Sequence, residues 1–230
     1  VGLDTLLDAT AWAQELRQYG LRVHPSGWET DERMLVWRAV ERMSQALGGA
    51  RGLRLAIGDL ILEKRATGGG GAYAFWFRPP WKRVVIGEAL LHQEPRWLGE
   101  VAVVHELAHA WDAHTAGLLG RMLGRPGRLV RGMVQFVGDE PGPTWYGGLA
   151  SGLRGWRAAY EEWAESVAAY LYPEYIAHLA AQPREREWVK AFGKDDHSRP
   201  GLGDRHRAYV EARFAEIRQK GTRMNADKRG

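Results

Sequence analysis

Apolar side chains recur along this chain with two different periods, and the switch between them divides it into three stretches. Over residues 3–19 and again over 29–47, where Met34, Val36, Trp37, Val40 and Met43 stand at helical spacing, the pattern predicts two amphipathic helices. Gly48-Gly49 marks the end of the second. The period then shortens. Residues 53–62, 73–77 and 83–86 are apolar and aromatic runs of strand length, and predict a small sheet. The glycine run 68–71 reads as a flexible hairpin tip between the first two strands, and Pro79-Pro80 as a strand exit. Helical spacing returns over 96–114. Residues 117–144 are rich in Gly and Pro and read as irregular, 156–171 are strongly periodic, and 204–220 form a last helix before a polar, frayed tail. Helices, a small sheet and helices again, without strict alternation, predict a mainly helical α+β fold. We read residues 1–230 as a single domain: a helical N-terminal part over 1–50, the small sheet and an apolar helix over 51–115, and a helical part over 116–230.

Composition narrows the function classes. Hydrophobic residues make up 45% of the 230 and charged residues 26%, so burial can offset the entropy of ordering and a disordered chain is excluded. No apolar run approaches the roughly 18 residues that span a bilayer, so no membrane span is expected. The net charge of +4 is too small to imply a nucleic-acid partner, and Arg121, Arg125, Arg128 and Arg131 read as a solvated face. There is no cysteine, so a transition-metal site would have to use His, Asp or Glu.

One segment carries chemistry: His105-Glu106-Leu107-Ala108-His109, an HExxH pentad. Residues four apart share a helix face, so the imidazoles of His105 and His109 can converge on one metal ion. Glu106, one step around, is placed to take a proton from water at the metal's open position. The surrounding Val101, Val103, Val104, Leu107, Ala110 and Trp111 predict a buried helix, in which two histidines and a glutamate need partners. A catalytic zinc site wants a third protein ligand. The metzincin pattern fails, because Asp112 and Thr115 stand where it needs Gly and His, and His114 lies off the ligand face and reads as a surface histidine. The better candidate is on the 156–171 helix. There Trp156, Tyr160, Trp163, Val167, Tyr170 and Leu171 fill one face, while Glu161, Glu162 and Glu165 lie opposite among Ala158, Ala168 and Ala169. Small neighbours suggest close approach of another helix, and three acids facing it need a cation. We assign Glu161 to the metal, with Glu162 as the alternative, and Glu165 to the outer nitrogen of a ligating imidazole.

His105-Glu106-Leu107-Ala108-His109-Ala110-Trp111-Asp112, followed some fifty residues later by Glu161-Glu162-Trp163-Ala164-Glu165, resembles the gluzincin branch of the zincin metallopeptidases. The likeness is greatest to the anthrax lethal factor catalytic domain and the Pro-Pro endopeptidases, and covers about 70 residues in two pieces. It implies a zincin-like fold, zinc held by His105, His109 and Glu161, Glu106 as general base and Glu165 behind the ligands. The chain departs from the pattern at Glu162, where those families carry an aromatic residue. It departs again at Arg154, where they carry a tyrosine that assists the transition state; Tyr146 is the substitute we assign.

The resulting expectation is a zinc-dependent endopeptidase acting on a peptide or protein substrate, which could pair with a sheet edge formed by residues 73–77 or 83–86. The alternative is a zincin fold that no longer cuts, serving as a binding or regulatory module or as a toxin-like effector domain. Compartment is not encoded in these features, although the likeness to toxins and secreted peptidases points toward export.

Overall fold

The computed structural model describes residues 2, 7–66, 72–75, 82–117, 120, 125–140, 142–144, 156–181 and 201–226, with 72–75 described by their backbone. Helix α1 (Ala9–Gln18) starts where the Asp8 carboxylate accepts from the backbone N–H groups of Thr10 and Ala11, at 2.7 and 3.1 Å. Gly20 ends it with φ of 83°, and a β-carbon there would stand 2.6 Å from the Gly58 carbonyl oxygen. This close crossing lets β1 (Leu21–Val23), too short to be read from the sequence, pair with the later strands. Helix α2 (Thr30–Ala46) follows, its first turn closed by Glu32, whose carboxylate accepts from the Glu29 N–H at 2.7 Å.

The predicted strand over 53–62 is two elements. Residues Ala50–Ile57 form helix α3, and strand β2 (Leu60–Arg65) begins after Gly58. Leu53, Leu55 and Ile57 alternate as a strand would, but Leu53, Ala56 and Ile57 also share one helix face, and those three are buried. In β2 true alternation takes over, with Leu60 and Leu62 buried.

Strands β3 (Ala72–Phe75) and β4 (Lys82–Gly87) complete a four-stranded sheet of order β1-β2-β4-β3. The pairs β1·β2 and β2·β4 are parallel, and β3 is antiparallel to β4. Two expectations are thereby corrected. No hairpin joins β2 to β3, because β4 lies between them; the glycine run itself is outside the described residues. The 83–86 strand is also interior rather than an edge, since Ile61 to Arg65 flank it on one side and Ala72 to Phe75 on the other.

From β4 the chain passes through the single turn α4 (Glu88–Leu91) into α5 (Trp97–Thr115), which is buried on almost every side by contact with α2, α3, the sheet and the later helices. The stretch 117–144, expected to be irregular, contains helix α6 (Arg128–Val137), whose Leu129, Val130, Met133 and Val137 are buried. Its start is held by α5: the Asp112 carboxylate accepts from the N–H groups of Gly127 and Val130 at 2.7 and 2.9 Å. A β-carbon on Gly127 would lie 2.0 Å from the Asp112 carbonyl oxygen, so only glycine permits this approach. Arg125, Arg128 and Arg131 are exposed, as a solvated face requires, and Arg121 lies outside the described residues.

Helix α7 (Trp156–Leu171) has the predicted bounds and packs along α5. It is followed by the short α8 (Pro173–Ala181) and by α9 (Asp204–Ala226). The last helix runs past Gly221 rather than fraying there, because one interior glycine costs about 1 kcal/mol and does not by itself end a helix. Phe214 of α9 is buried between the rings of Trp111 and Tyr170, at 5.2 and 5.5 Å. One connected apolar core extends from Trp12 to Ile217. No helix of the described residues is long and apolar enough to cross a membrane.

Candidate metal centre between two helices

Helices α5 and α7 are tied at the level of the pentad. The buried Trp163 indole N–H donates to the Ala108 carbonyl at 2.9 Å, and its ring meets Trp111 edge-on at 5.3 Å. Buried alanines at 108 and 110 on α5, and at 158, 164 and 168 on α7, offer little bulk to hold the helices apart.

Between them three side chains converge. Nε2 of His105 lies 3.1 Å from Nε2 of His109 and 3.1 Å from Oε2 of Glu161, and the His109 and Glu161 atoms are 3.6 Å apart. These residues could hold a metal ion. Ligands bonded to zinc at about 2.0–2.1 Å in a tetrahedron stand roughly 3.3–3.4 Å from one another, so the triangle has the size such an ion requires. Glu165 lies behind it, with Oε1 2.9 Å from Nδ1 of His105. That contact uses the outer nitrogen of the ring and leaves Nε2 toward the triangle.

Electrostatics follow from the crowding. Burial alone would lower the His105 imidazole, but hydrogen bonds to Glu161 and Glu165, with the charges of Glu165 and Glu106, overcome it and push the group up to about 10. Burial would raise Glu161; its hydrogen bonds to His105 and His109 and their charges instead hold it far below the usual carboxylate range. Both shifts favour pairing of a protonated His105 with an ionised Glu161 across a half-buried contact.

The remaining sequence candidates fall on several sides. Glu106 is buried on α5 beside His105. Glu162 points away from the histidine pair, its Oε1 2.7 Å from Nε2 of His206 on α9. His206, which the sequence reading passed over, is fully buried and also contacts Glu140 through Nδ1 at 2.6 Å. His114 is exposed, as expected, with Nδ1 2.8 Å from the Lys82 ammonium. Trp156, assigned to the apolar face, is 49% exposed. Tyr146 and Arg154 lie outside the described residues. The Tyr160 ring stands 6.5 Å from that of His109.

A second His–carboxylate group, Glu32, Glu88 and His92, has suitable spacing for a metal but already contains a cation. The Lys64 ammonium sits 2.8 and 2.9 Å from the two oxygens of the buried Glu32 and 3.7 Å from Glu88. Comparison of the chain with protein-family models, curated proteins and solved structures finds no match to any of them.

Proposed function

We propose that the protein is a zinc-dependent endopeptidase with a zincin-like domain of the gluzincin type. The observation that carries this reading is the triangle of His105 Nε2, His109 Nε2 and Glu161 Oε2, with sides of 3.1, 3.1 and 3.6 Å. His105, His109 and Glu161 would hold the metal, and two imidazoles with one carboxylate make a donor set suited to zinc. When bound, zinc supplies a Lewis acid that polarises a carbonyl and brings the pKa of water toward 7.

The chain's own residues perform the rest. Glu165 orients His105 through Nδ1. The Glu106 carboxylate accepts a proton from the attacking water as its oxygen bonds to the carbonyl carbon, then delivers that proton to the amine nitrogen as the C–N bond breaks. Its burial suits it to hold the proton between the two events. An extended peptide substrate can add to β3, which among the described residues pairs only with β4. Tyr146 remains our assignment for the group that stabilises the oxyanion.

The test is elemental analysis together with hydrolysis of casein. The unmodified chain should carry about one zinc and cleave, and Glu106→Gln should keep the zinc while losing about 10²–10⁴-fold in rate. Full activity of Glu106→Gln would reject the assigned base, and a chain that takes up no zinc would reject the whole reading.

A further inference from the structure

Glu165 has its two carboxylate oxygens engaged by two different helices. Oε1 faces Nδ1 of His105 on α5 at 2.9 Å, and Oε2 accepts from the Tyr175 hydroxyl on α8 at 3.1 Å. The Glu165 side chain is 5% exposed, so water does not readily replace either partner. A planar carboxylate fixed at both oxygens cannot turn about its terminal bond without breaking a contact. The orientation of the oxygen that meets His105 is therefore set in part from α8.

Helix α8 is placed for this task by contacts away from the metal cluster. It has no fully buried residue of its own. Its contacts include the pairing of Glu174 with Arg42 at 3.1 Å and the His178 ring against Trp97 at 5.5 Å, and just before it Arg42 donates to the Leu171 carbonyl at 3.2 Å and stacks over the Tyr172 ring at 4.1 Å. Tyr172 is buried and donates to Glu100, five residues before His105, at 3.1 Å. The turn through Pro173 is closed by the Tyr175 N–H donating to the Tyr172 carbonyl at 2.9 Å, which brings the second tyrosine to Glu165.

We propose that Tyr175 is a positioning residue for His105: by holding Oε2 of Glu165, its hydroxyl keeps Oε1 on Nδ1 of the imidazole and so keeps Nε2 aimed at the space shared with His109 and Glu161. This inference rests on the zinc reading of that cluster.

Zinc affinity of the full-length chain, measured by competition with a chromophoric chelator, tests it without recourse to activity. Tyr175→Phe should bind zinc about tenfold more weakly, the lower end of the range for partners that orient a metal ligand. Tyr209→Phe loses a buried hydroxyl contact with the Leu129 carbonyl, away from the cluster and from α8, and should bind within about twofold of the unmodified chain. In a Glu165→Ala background, Tyr175→Phe should have less than about a twofold further effect, because its route to His105 is already cut. Unchanged affinity in Tyr175→Phe, equal weakening in both tyrosine variants, or an undiminished effect in the Glu165→Ala background would each overturn the assignment. If the unmodified chain binds no zinc, this inference falls together with the proposed function; if it binds zinc and Tyr175→Phe binds equally well, only the inference falls.

Discussion

Helix α7 serves two histidine–carboxylate clusters from adjacent residues, Glu161 and Glu162, and they differ in one member. Toward α5, His105 meets Glu165 with one ring nitrogen and turns the other to a small space that His109 and Glu161 also face. Toward α9, each nitrogen of His206 faces a carboxylate of its own, Glu140 at 2.6 Å and Glu162 at 2.7 Å, so the ring bridges two acids and nothing converges. Similar residue types give a nest of donors in one place and a structural clasp in the other. Both rings meet a carboxylate at each nitrogen, so the second imidazole, His109, separates the candidate metal centre from the stabilising contact.

Exchanging the two glutamates for alanine should break this comparison most visibly. Glu161→Ala should weaken zinc binding by more than about a hundredfold, since it removes a ligand rather than a ligand's support. Glu162→Ala should leave affinity within about threefold, while lowering stability in urea by about 2–3 kcal/mol because His206 loses a buried partner. Equal loss of zinc in the two variants would erase the distinction.

A proton count sharpens it next. With His105 pushed up to about 10 in the metal-free protein, the ring keeps its proton at pH 8, and Nε2 must release it to act as a ligand. Zinc uptake at that pH should release about one proton, read from the dependence of binding enthalpy on buffer ionisation. A raised value also means that the stability His105 contributes is complete below its ordinary 6.5 and disappears as the pH climbs through about 10. The urea midpoint of chelator-treated protein should fall across that window, and a flat profile would contradict the ion-paired description. Smallest is the effect of Trp163→Phe, which removes the indole contact with Ala108 of α5. A loss of about 1 kcal/mol in thermal stability is expected, and no loss would show that the contact does not tie the helices.

The two helices that carry the pentad and the acids were legible because their apolar spacing is long and unbroken, and α7 has the predicted bounds. The convergence of Glu161 on the histidines was legible for a related reason: alanines beside acids on one face signal a close neighbour. Helix α3 was not, since five residues alternating Leu, Arg, Leu, Ala, Ile satisfy both periods and only Gly49 and Gly58 bound them. Helix α6 was hidden among glycines and prolines, and depends on a cap from Asp112, fifteen residues before Gly127. His206 and Tyr175 were invisible for a different reason. Each acts through a contact 10 to 66 residues away, set by how helices stack rather than by any local pattern.

Because His105, His109 and Glu161 ride on two helices tied together by Trp163, the opening between them would act as a gauge for ionic radius if it takes a metal. On the proposed reading, an ion bonded at about 2.0–2.1 Å would suit the existing spacing. Calcium, whose bonds run to about 2.3–2.6 Å and which seeks six to eight oxygens, would need the rods pried apart and more ligands than two imidazoles and a carboxylate can offer. On the proposed zinc reading, calcium would be disfavoured by the spacing of the two rods as well as by the number of ligands it seeks.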